Sequence, residues 1–406
     1  MTRVIPYGRQ EITDTDVSAV VATLKSDFLT QGPAVERFES ALGEYLGAKY
    51  AVAVSNGTAG LHVAYLAAGV GKGDAVIVPA ITFAATSNAA LYCGATPVFA
   101  DVNFETGGID PESAERAIKL AQAKGLTPKV LAPVHFAGRP CDMAALTDIA
   151  KQYKLTIIED ACHALGAEYR VNDHDTFQKI GSADWTSMAV FSFHPVKHIT
   201  TGEGGVVTTN DPKLAQSLKM LRSHGITKES AHYQNHDRAF ENGSANPWYH
   251  EMQVLGLNYR MCDIQAALGE SQTKRATGMI SRRREIASTY DKAFSGLQRI
   301  KPAAGDSVNG RHSYHLYPIQ VDFNALSTTR AKFMANLREM GVGTQVHYIP
   351  VQWHPFYENN TNLWLSDTIS RAKEFYAREL SIPMYSSMTA ADQAQVVDAI
   401  QKADRL

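Results

Sequence analysis

The sequence predicts an α/β protein: a mostly parallel sheet held between helices, followed by a smaller α+β unit. Three observations predict it. Short runs such as 75–78 (Ala-Val-Ile-Val) are apolar at every position, a helix-periodic segment follows each run, and Gly, Asn or Pro turns stand between them. A strand without a polar position has both faces covered, and helices that alternate with such strands supply the cover.

Taken in order, Thr13 caps a helix whose Val17, Val20, Val21 and Leu24 fall on one face, which predicts burial of that face. The turn at Thr30-Gln-Gly-Pro leads into a second helix with Val35, Phe38, Leu42, Tyr45 and Leu46 as its stripe. Tyr50–Val54 is a short strand ending at Ser55-Asn-Gly-Thr, and residues 59–68 are helical. The same rhythm returns, with strands at 75–78, 97–101, 130–134, 155–159 and 187–193 and helices at 82–92, 111–124 and 143–151. Residues 204–210 add a strand with a turn. Residues 226–252 are polar and rich in His, Asn and Glu, a long surface excursion of the kind that usually serves function. A helical pattern over 261–294 bridges to the smaller unit, and its basic run Arg282–Arg284 reads as a solvated helix face. Strands at 314–321 and 343–348 and helices at 330–340 and 390–403 complete the chain.

At 406 residues the chain exceeds the roughly 100–150 residues of one domain, so two units sharing an interface are expected. With 39 basic against 41 acidic side chains it has no electrostatic footprint for nucleic acid or an anionic membrane, and only a local basic pocket is left open. The most apolar stretch, 75–100, is broken by Pro79, Thr82, Asn88, Gly94 and Pro97, which excludes a membrane span there. The start at Met1 lacks an apolar leader, so a cytoplasmic protein is expected. Cys93, Cys141, Cys162 and Cys262 form no C-x-x-C pair and read as reduced and mostly buried. His250-Glu251 is followed by Val254 where H-E-x-x-H needs its second histidine, and no metal is expected.

Three segments carry chemistry. In 51–59 (Ala-Val-Ala-Val-Ser-Asn-Gly-Thr-Ala) a strand meets a turn that opens a helix, leaving backbone N–H groups and the positive dipole end for a phosphate. Taken alone, that segment is better explained as an ordinary βα turn, since such turns occur in most α/β domains. In 156–163 (Thr-Ile-Ile-Glu-Asp-Ala-Cys-His) a buried strand ends in Asp160, and a carboxylate there is costly without a cationic partner. In 191–205 a strand runs through a Pro turn bearing Lys197 into a Gly-rich return, offering Lys197 to the same face as Asp160. Most lysines are solvated surface. Here Phe191, Phe193, Val196 and Ile199 surround the side chain, and apolar surroundings lower a lysine's pKa and make it a nucleophile and proton carrier. One cofactor needs an anion site, a carboxylate for a pyridine nitrogen and a Schiff-base lysine together: pyridoxal 5'-phosphate (PLP).

Residues 159–166 (Glu-Asp-Ala-Cys-His-Ala-Leu-Gly), 191–197 (Phe-Ser-Phe-His-Pro-Val-Lys), 202–205 (Gly-Glu-Gly-Gly) and 256–267 (Gly-Leu-Asn-Tyr-Arg-Met-Cys-Asp-Ile-Gln-Ala-Ala) resemble the hallmarks of the DegT/DnrJ/EryC1/StrS sugar aminotransferases. The resemblance spans nearly the whole chain. It implies a PLP-dependent transferase of fold type I with a seven-stranded large sheet. Residues 1–260 would form the PLP-binding domain, and 261–406 a bridging helix and a small carboxyl-terminal domain, with the amino-terminal segment packing on the latter. It further implies a homodimer that moves an amino group from L-glutamate to a nucleotide-linked keto sugar.

Carried over residue by residue, the resemblance makes Lys197 the Schiff-base lysine and proton shuttle and Asp160 the partner of the pyridine nitrogen. Thr58 and Ala59 through their N–H groups, and Ser192 through its hydroxyl, would hold the phosphate, with Asn258 reaching it from the neighbouring subunit. Phe83 takes the place of an aromatic stacked on the ring and His163 that of a residue beside the ring hydroxyl. Tyr7, Thr30, His347 and Tyr348 match positions that line the substrate pocket. Residues 193–197 with 344–350 are most similar to the branch that aminates C4 of a UDP-linked 4-keto-6-deoxy-N-acetylhexosamine in pseudaminic acid biosynthesis. The sequence departs from the pattern at 171–179 and 228–251, both expected to alter the rim of the pocket. Another nucleotide-linked keto sugar is an open alternative. A sugar 3-dehydratase, in which His replaces the Schiff-base lysine, is disfavoured because Lys197 rather than His198 fills the frame. A PLP-binding regulator without turnover is opposed by the intact Asp160, Ser192 and Lys197.

Overall fold

A computed structural model describes residues 3–405, so the first two residues of the amino-terminal stretch lie outside the described residues. Helix α1 (Asp14–Leu24) begins with Thr13 and Asp16 in a reciprocal capping box. Its burial is the reverse of that expected: Val17, Val21 and Leu24 are exposed, and Asp16 is fully buried. The Asp16 carboxylate decides the orientation. It accepts hydrogen bonds from Ser271 Oγ and Arg275 Nη2, both at 2.7 Å, and from Thr13 N at 2.9 Å. Burial alone would raise this carboxyl, but the bonds from Ser271, Thr13 and Arg275 outweigh it and hold the group below its usual value.

Helix α2 (Pro33–Leu46) buries Val35, Phe38, Leu42 and Leu46 as its pattern predicts. Strands and helices then alternate as β1 (Tyr50–Val54), α3 (Gly57–Ala67), β2 (Asp74–Pro79), α4 (Ala85–Tyr92), β3 (Thr96–Ala100), α5 (Pro111–Ala123), β4 (Thr127–Leu131), α6 (Met143–Tyr153), β5 (Thr156–Asp160), β6 (Met188–Ser192), β7 (Gly205–Thr209) and α7 (Pro212–Leu221). The strands lie in the order β1-β7-β6-β5-β4-β2-β3. Only β7 runs against its neighbours β1 and β6. Along β2, Ala75 and Ile77 enter one apolar core and Val76 and Val78 the other, the alternation of a strand covered on both faces.

An eighth strand, Leu365–Ser366, is missing from the seven expected and pairs parallel to β3. It covers backbone groups that the edge of β3 would otherwise present to solvent. Val351 and Tyr357 join the core on that side, so residues 351–366, read above with the smaller unit, pack on the large sheet.

The helical pattern at 261–294 is broken at Lys274–Arg275 into α8 (Asp263–Thr273) and α9 (Ala276–Phe294). A three-stranded antiparallel sheet follows, made of Ile300–Lys301, β8 (Tyr317–Val321) and β9 (Glu379–Ile382). It shares a third core with α9, α10 (Arg330–Glu339) and α11 (Ala390–Ala403), which Ile5 also enters. Residues 343–348 are not a strand. They make one bridge, Gln345 to Ser381, before the chain swings toward the large sheet.

The basic run is not simply a solvated face either: Arg282 and Arg284 are only half-exposed. Arg283 is fully buried, and its Nη1 donates to the carbonyls of Tyr314 (3.1 Å), His315 (3.1 Å) and Met384 (2.9 Å). Arg284 Nε donates to His312 O at 2.9 Å and Arg282 Nη2 to Met388 O at 3.1 Å. These side chains satisfy carbonyls that no strand uses, which is what burying a guanidinium requires. Burial lowers Arg283 to about 10, so it stays charged at neutral pH.

Both departures from the family pattern close on themselves. Ile226–Thr227 pairs with Glu251–Met252, and Gln178–Lys179 pairs with Glu168–Tyr169, which pairs in turn with Gly310–Arg311. Neither lines the central cavity of its own chain. All four cysteines are free; Cys141 is buried and the other three are half-buried. No helix among the described residues is long and apolar enough to cross a membrane.

Candidate active site

The carboxyl ends of β5 and β6 and the start of α3 open on a cavity of about 1030 Å³, at the end of a parallel sheet where ligands gather. Asp160 closes β5 and is buried there. Its Oδ2 accepts from Thr86 Oγ1 at 2.7 Å and its Oδ1 from Cys162 N at 3.2 Å. These partners are a hydroxyl and an amide, so the carboxylate expected to need a cation has no protein cation bonded to it. Lys197 stands in the turn after β6, closed by its own N–H donating to His194 O at 2.9 Å, and lines the same cavity. Burial lowers its pKa, and the charges of Cys162 and Asp160 restore only part of the shift. More of the amine is therefore unprotonated and nucleophilic than in a solvated lysine.

Asn56 caps α3, its Oδ1 accepting from Ala59 N at 2.8 Å. Of the two N–H groups expected at a phosphate, that of Ala59 is thus already engaged by the cap, while Thr58 lies one residue nearer the helix start. A Cβ on Gly57 would lie 2.9 Å from Ser192 Cβ and 3.1 Å from Cys162 Sγ, so bare backbone is set against the end of β6. Gly205, at the start of β7, is equally confined: a Cβ there would meet the Asn56 carbonyl at 2.7 Å and Phe191 O at 2.8 Å. Phe83 lines the cavity with 62% of its surface exposed, so core packing does not explain it.

The opposite wall holds Tyr7, His347 and Tyr348. Tyr348 OH lies 3.1 Å from His163 Nε2, and the His163 ring sits 4.4 Å from that of His315. Burial first, then Lys197, holds His163 well below the usual histidine range, so the ring is neutral. Thr30 and Asn258, the latter expected at the neighbouring subunit's phosphate, do not line this cavity. Thr30 is exposed and bridges Cys262, because the Asp263 carboxylate takes the N–H groups of Gly32 (2.8 Å) and Ala34 (2.9 Å) and pins that turn to α8. Asn258 is exposed and bridges Ser223, whereas its neighbour Tyr259 lines the cavity.

Cys162, Tyr259, His315 and Gln345 also line the cavity without having been singled out. Cys162 carried a signal, since it lies inside the segment ending β5. His315 carried none, because its place depends on Arg283 holding the carbonyls around it. His198, the residue that raised the dehydratase reading, is buried away from the cavity with Nε2 donating to Ser313 O at 3.0 Å.

A helix start beside a serine, a buried carboxylate without a protein cation and a lysine of lowered pKa fit a phosphorylated pyridine aldehyde. Fold and site define a PLP-dependent transferase of fold type I. The chain belongs to the DegT/DnrJ/EryC1/StrS aminotransferase family, whose match covers residues 10–401. It is 39% identical to the spore coat polysaccharide biosynthesis protein SpsC of Bacillus subtilis, over 98% of this chain and 96% of that protein. It is 36% identical to the UDP-4-amino-4,6-dideoxy-N-acetyl-beta-L-altrosamine transaminase of Campylobacter jejuni, over 98% of this chain and 96% of that protein. Among solved structures, Helicobacter pylori PseC, an aminotransferase involved in pseudaminic acid biosynthesis, matches with a TM-score of 0.83 and 29% identity over 99% of this chain and 100% of that one. The PLP-form of a Streptococcus pneumoniae sugar aminotransferase, Spr1654, matches with a TM-score of 0.84 and 27% identity over 99% of each chain. The chain is a PLP-dependent sugar aminotransferase.

Proposed function

We propose that this enzyme moves the amino group of L-glutamate to C4 of UDP-2-acetamido-2,6-dideoxy-β-L-arabino-hexos-4-ulose, a step of pseudaminic acid biosynthesis. The observation that carries the reading is similarity along the full chain to a transaminase named for the corresponding UDP-4-amino sugar. The likeness to PseC supports it.

When bound, PLP supplies an electron sink for the carbanion at the carbon that gains or loses the amino group. The chain's own residues do the rest. Asp160, held by Thr86, would accept a hydrogen bond from the pyridine nitrogen and keep it protonated. Thr58 N–H and the Ser192 hydroxyl bind the phosphate, and Ala59 contributes through the capped helix end. Lys197 Nζ would hold the aldehyde carbon and, once the substrate amine has displaced it, would be free to carry the proton between carbon atoms, work that its lowered pKa suits. Phe83 and His163, which line the cavity, would cover the ring and stand beside its hydroxyl. Tyr7, His347 and Tyr348 line the sugar side.

Asn258 and Thr30 serve the neighbouring subunit's cavity in a homodimer, which their exposure outside their own cavity supports. The division into a PLP-binding part, 1–260, and a smaller part, 261–406, of which 351–366 returns to the large sheet, and a cytoplasmic home belong to the same proposal. The test is incubation of the PLP-loaded enzyme with this keto sugar and L-glutamate, followed by mass spectrometry and NMR. The 4-amino sugar is expected. If none forms while L-glutamate alone removes the absorbance band of the lysine-bound cofactor, the sugar is wrong and the aminotransferase class stands.

A further inference from the structure

Behind the opposite wall lies a chain of polar groups with no part in holding PLP. His347 lines the cavity, and its Nδ1 is 2.9 Å from Ser381 Oγ. Ser381 Oγ is 2.6 Å from Glu379 Oε1, and Glu379 Oε2 accepts the backbone N–H of His347 at 2.7 Å. Glu379 and Ser381 are fully closed off from solvent and His347 is nearly so. The three groups therefore exchange hydrogen bonds only with one another and, through His347 Nε2, with whatever fills the cavity.

We propose that Glu379, Ser381 and His347 form a proton relay that ends in the cavity, in which Glu379 and Ser381 are positioning residues that decide whether His347 Nε2 offers the sugar a proton or a lone pair. The assignment rests on the reading of this cavity as the sugar site. With Glu379 protonated, its Oε1–H donates to Ser381 Oγ, Ser381 O–H donates to Nδ1, and Nε2 carries the ring proton. With Glu379 ionised, Ser381 O–H donates to Oε1, Nδ1–H donates to Ser381 Oγ, and Nε2 is bare. The two states differ by one proton.

Replacing a carbonyl oxygen by nitrogen expels that oxygen as water, so an acid must deliver a proton to it. When Nε2 gives up its proton, Nδ1 takes that of Ser381, and Ser381 Oγ takes that of Glu379. The negative charge comes to rest on Glu379, and the imidazole is neutral before and after. This matters because burial, and then Lys197, lowers the His347 ring to about 3, so an imidazolium is not accessible to it near neutral pH.

Other groups around the relay are consistent with a proton on Glu379. Arg330, on α10, turns its Nη1 to the carbonyls of Tyr376 and Glu379, not to the carboxylate. Gln320, opposite Glu379 on β8, has its Oε1 buried without a partner. Tyr7 and Tyr348 flank the His347 ring, and Lys197 is the cation that faces it. Burial raises Glu379 to about 8, against the weaker opposing pull of Ser381, the His347 amide and Arg330.

Selective 15N-histidine NMR of the PLP-loaded enzyme tests the relay without any sugar. In the wild type, the proton on His347 should pass from Nε2 to Nδ1 as pH rises through about 8, with no imidazolium signal. Glu379→Gln, whose amide N–H can donate to Ser381 and whose oxygen can accept from the His347 amide, should stay locked with Nε2 protonated. With the sugar, the same variant should lose about 10- to 100-fold in kcat with little change in KM, and the alkaline limb of its pH profile should vanish. Ser381→Ala should cut kcat similarly and Ser381→Thr restore it, a pair that keeps the test alive if Glu379→Gln folds poorly. A His347 tautomer that ignores pH in the wild type, or titrates alike in wild type and Glu379→Gln, overturns the relay. A wild type inactive on this sugar but showing the tautomer exchange overturns only the sugar assignment.

Discussion

The two walls of the cavity are built in different ways. On the sheet side, Asp160, Ser192, Lys197 and the start of α3 sit at or just beyond strand ends, placed by the pairing of those strands, with Thr86 holding the Asp160 carboxylate. On the other side, His347, Tyr348 and His315 come from segments that are not regular strands, and they depend on Arg283, Glu379 and Ser381 behind them. The sheet wall is positioned by backbone pairing, the far wall by buried polar side chains. Chemistry that must not move is on the first, and adjustable hydrogen bonding is on the second.

Substitutions should separate the walls, beginning with the largest effect. Lys197→Ala removes a nucleophile and a proton carrier from the sheet wall and little packing. Turnover should fall by at least about a thousandfold while thermal unfolding stays near wild type, and the absorbance of the lysine-bound cofactor should disappear. Full turnover would refute the role of Lys197. Asp160→Asn should still bind PLP but lose about 10²–10³ in kcat, because a neutral amide no longer keeps the ring nitrogen charged. Arg283→Met should reverse the balance between the walls: about 3–5 kcal/mol lost in a denaturant titration, since three carbonyls lose their donor, with the sheet wall intact. Unchanged stability would show that the far wall stands without it.

The smallest expected effects come from titration. Burial holds His163, His198 and His315 well below the usual histidine value and His347 at about 3. The unfolded chain takes up protons near pH 6.5 that these folded rings refuse. Their contribution to stability is therefore complete above about pH 6.5 and lost as pH falls below it. Glu379, raised to about 8, works the other way: its contribution is complete below the unfolded value of 4.5 and lost as pH rises through about 8. Unfolding temperature against pH should fall on both sides of a maximum at about 6.5, and Glu379→Gln should make only the alkaline fall shallower, since buried His135, raised to about 10, keeps part of it. An unchanged alkaline side would contradict the buried acid.

The same contrast explains what could be read in the sequence. β1, β5, β6 and α11 lie within a residue or so of their expected bounds, and Asp160 and Lys197 share one cavity, because apolar runs and turn residues encode strand ends locally. The stripe on α1 misled because Asp16, Ser271 and Arg275, over 250 positions apart along the chain, outweigh three apolar side chains. Arg282–Arg284 has the composition of a solvated face, yet Arg283 is buried and its neighbours half-buried through carbonyls supplied by residues 312–388. The edge strand Leu365–Ser366 is too short to leave a pattern. Glu379 and Ser381 look like ordinary strand residues until His347 is placed beside them.

Gly205 touches no substrate group, yet its hydrogen is all that fits between the Asn56 carbonyl and Phe191 O. Every missense change at its codon adds a carbon where backbone already stands, and the first atoms displaced belong to the residue that caps α3. In a selection for activity that position should therefore score as intolerant as Lys197 itself. A map of mutational sensitivity would then list a backbone hinge among the chemical groups, and only the unchanged response of Lys197 to a small aldehyde probe in such variants would tell the two apart.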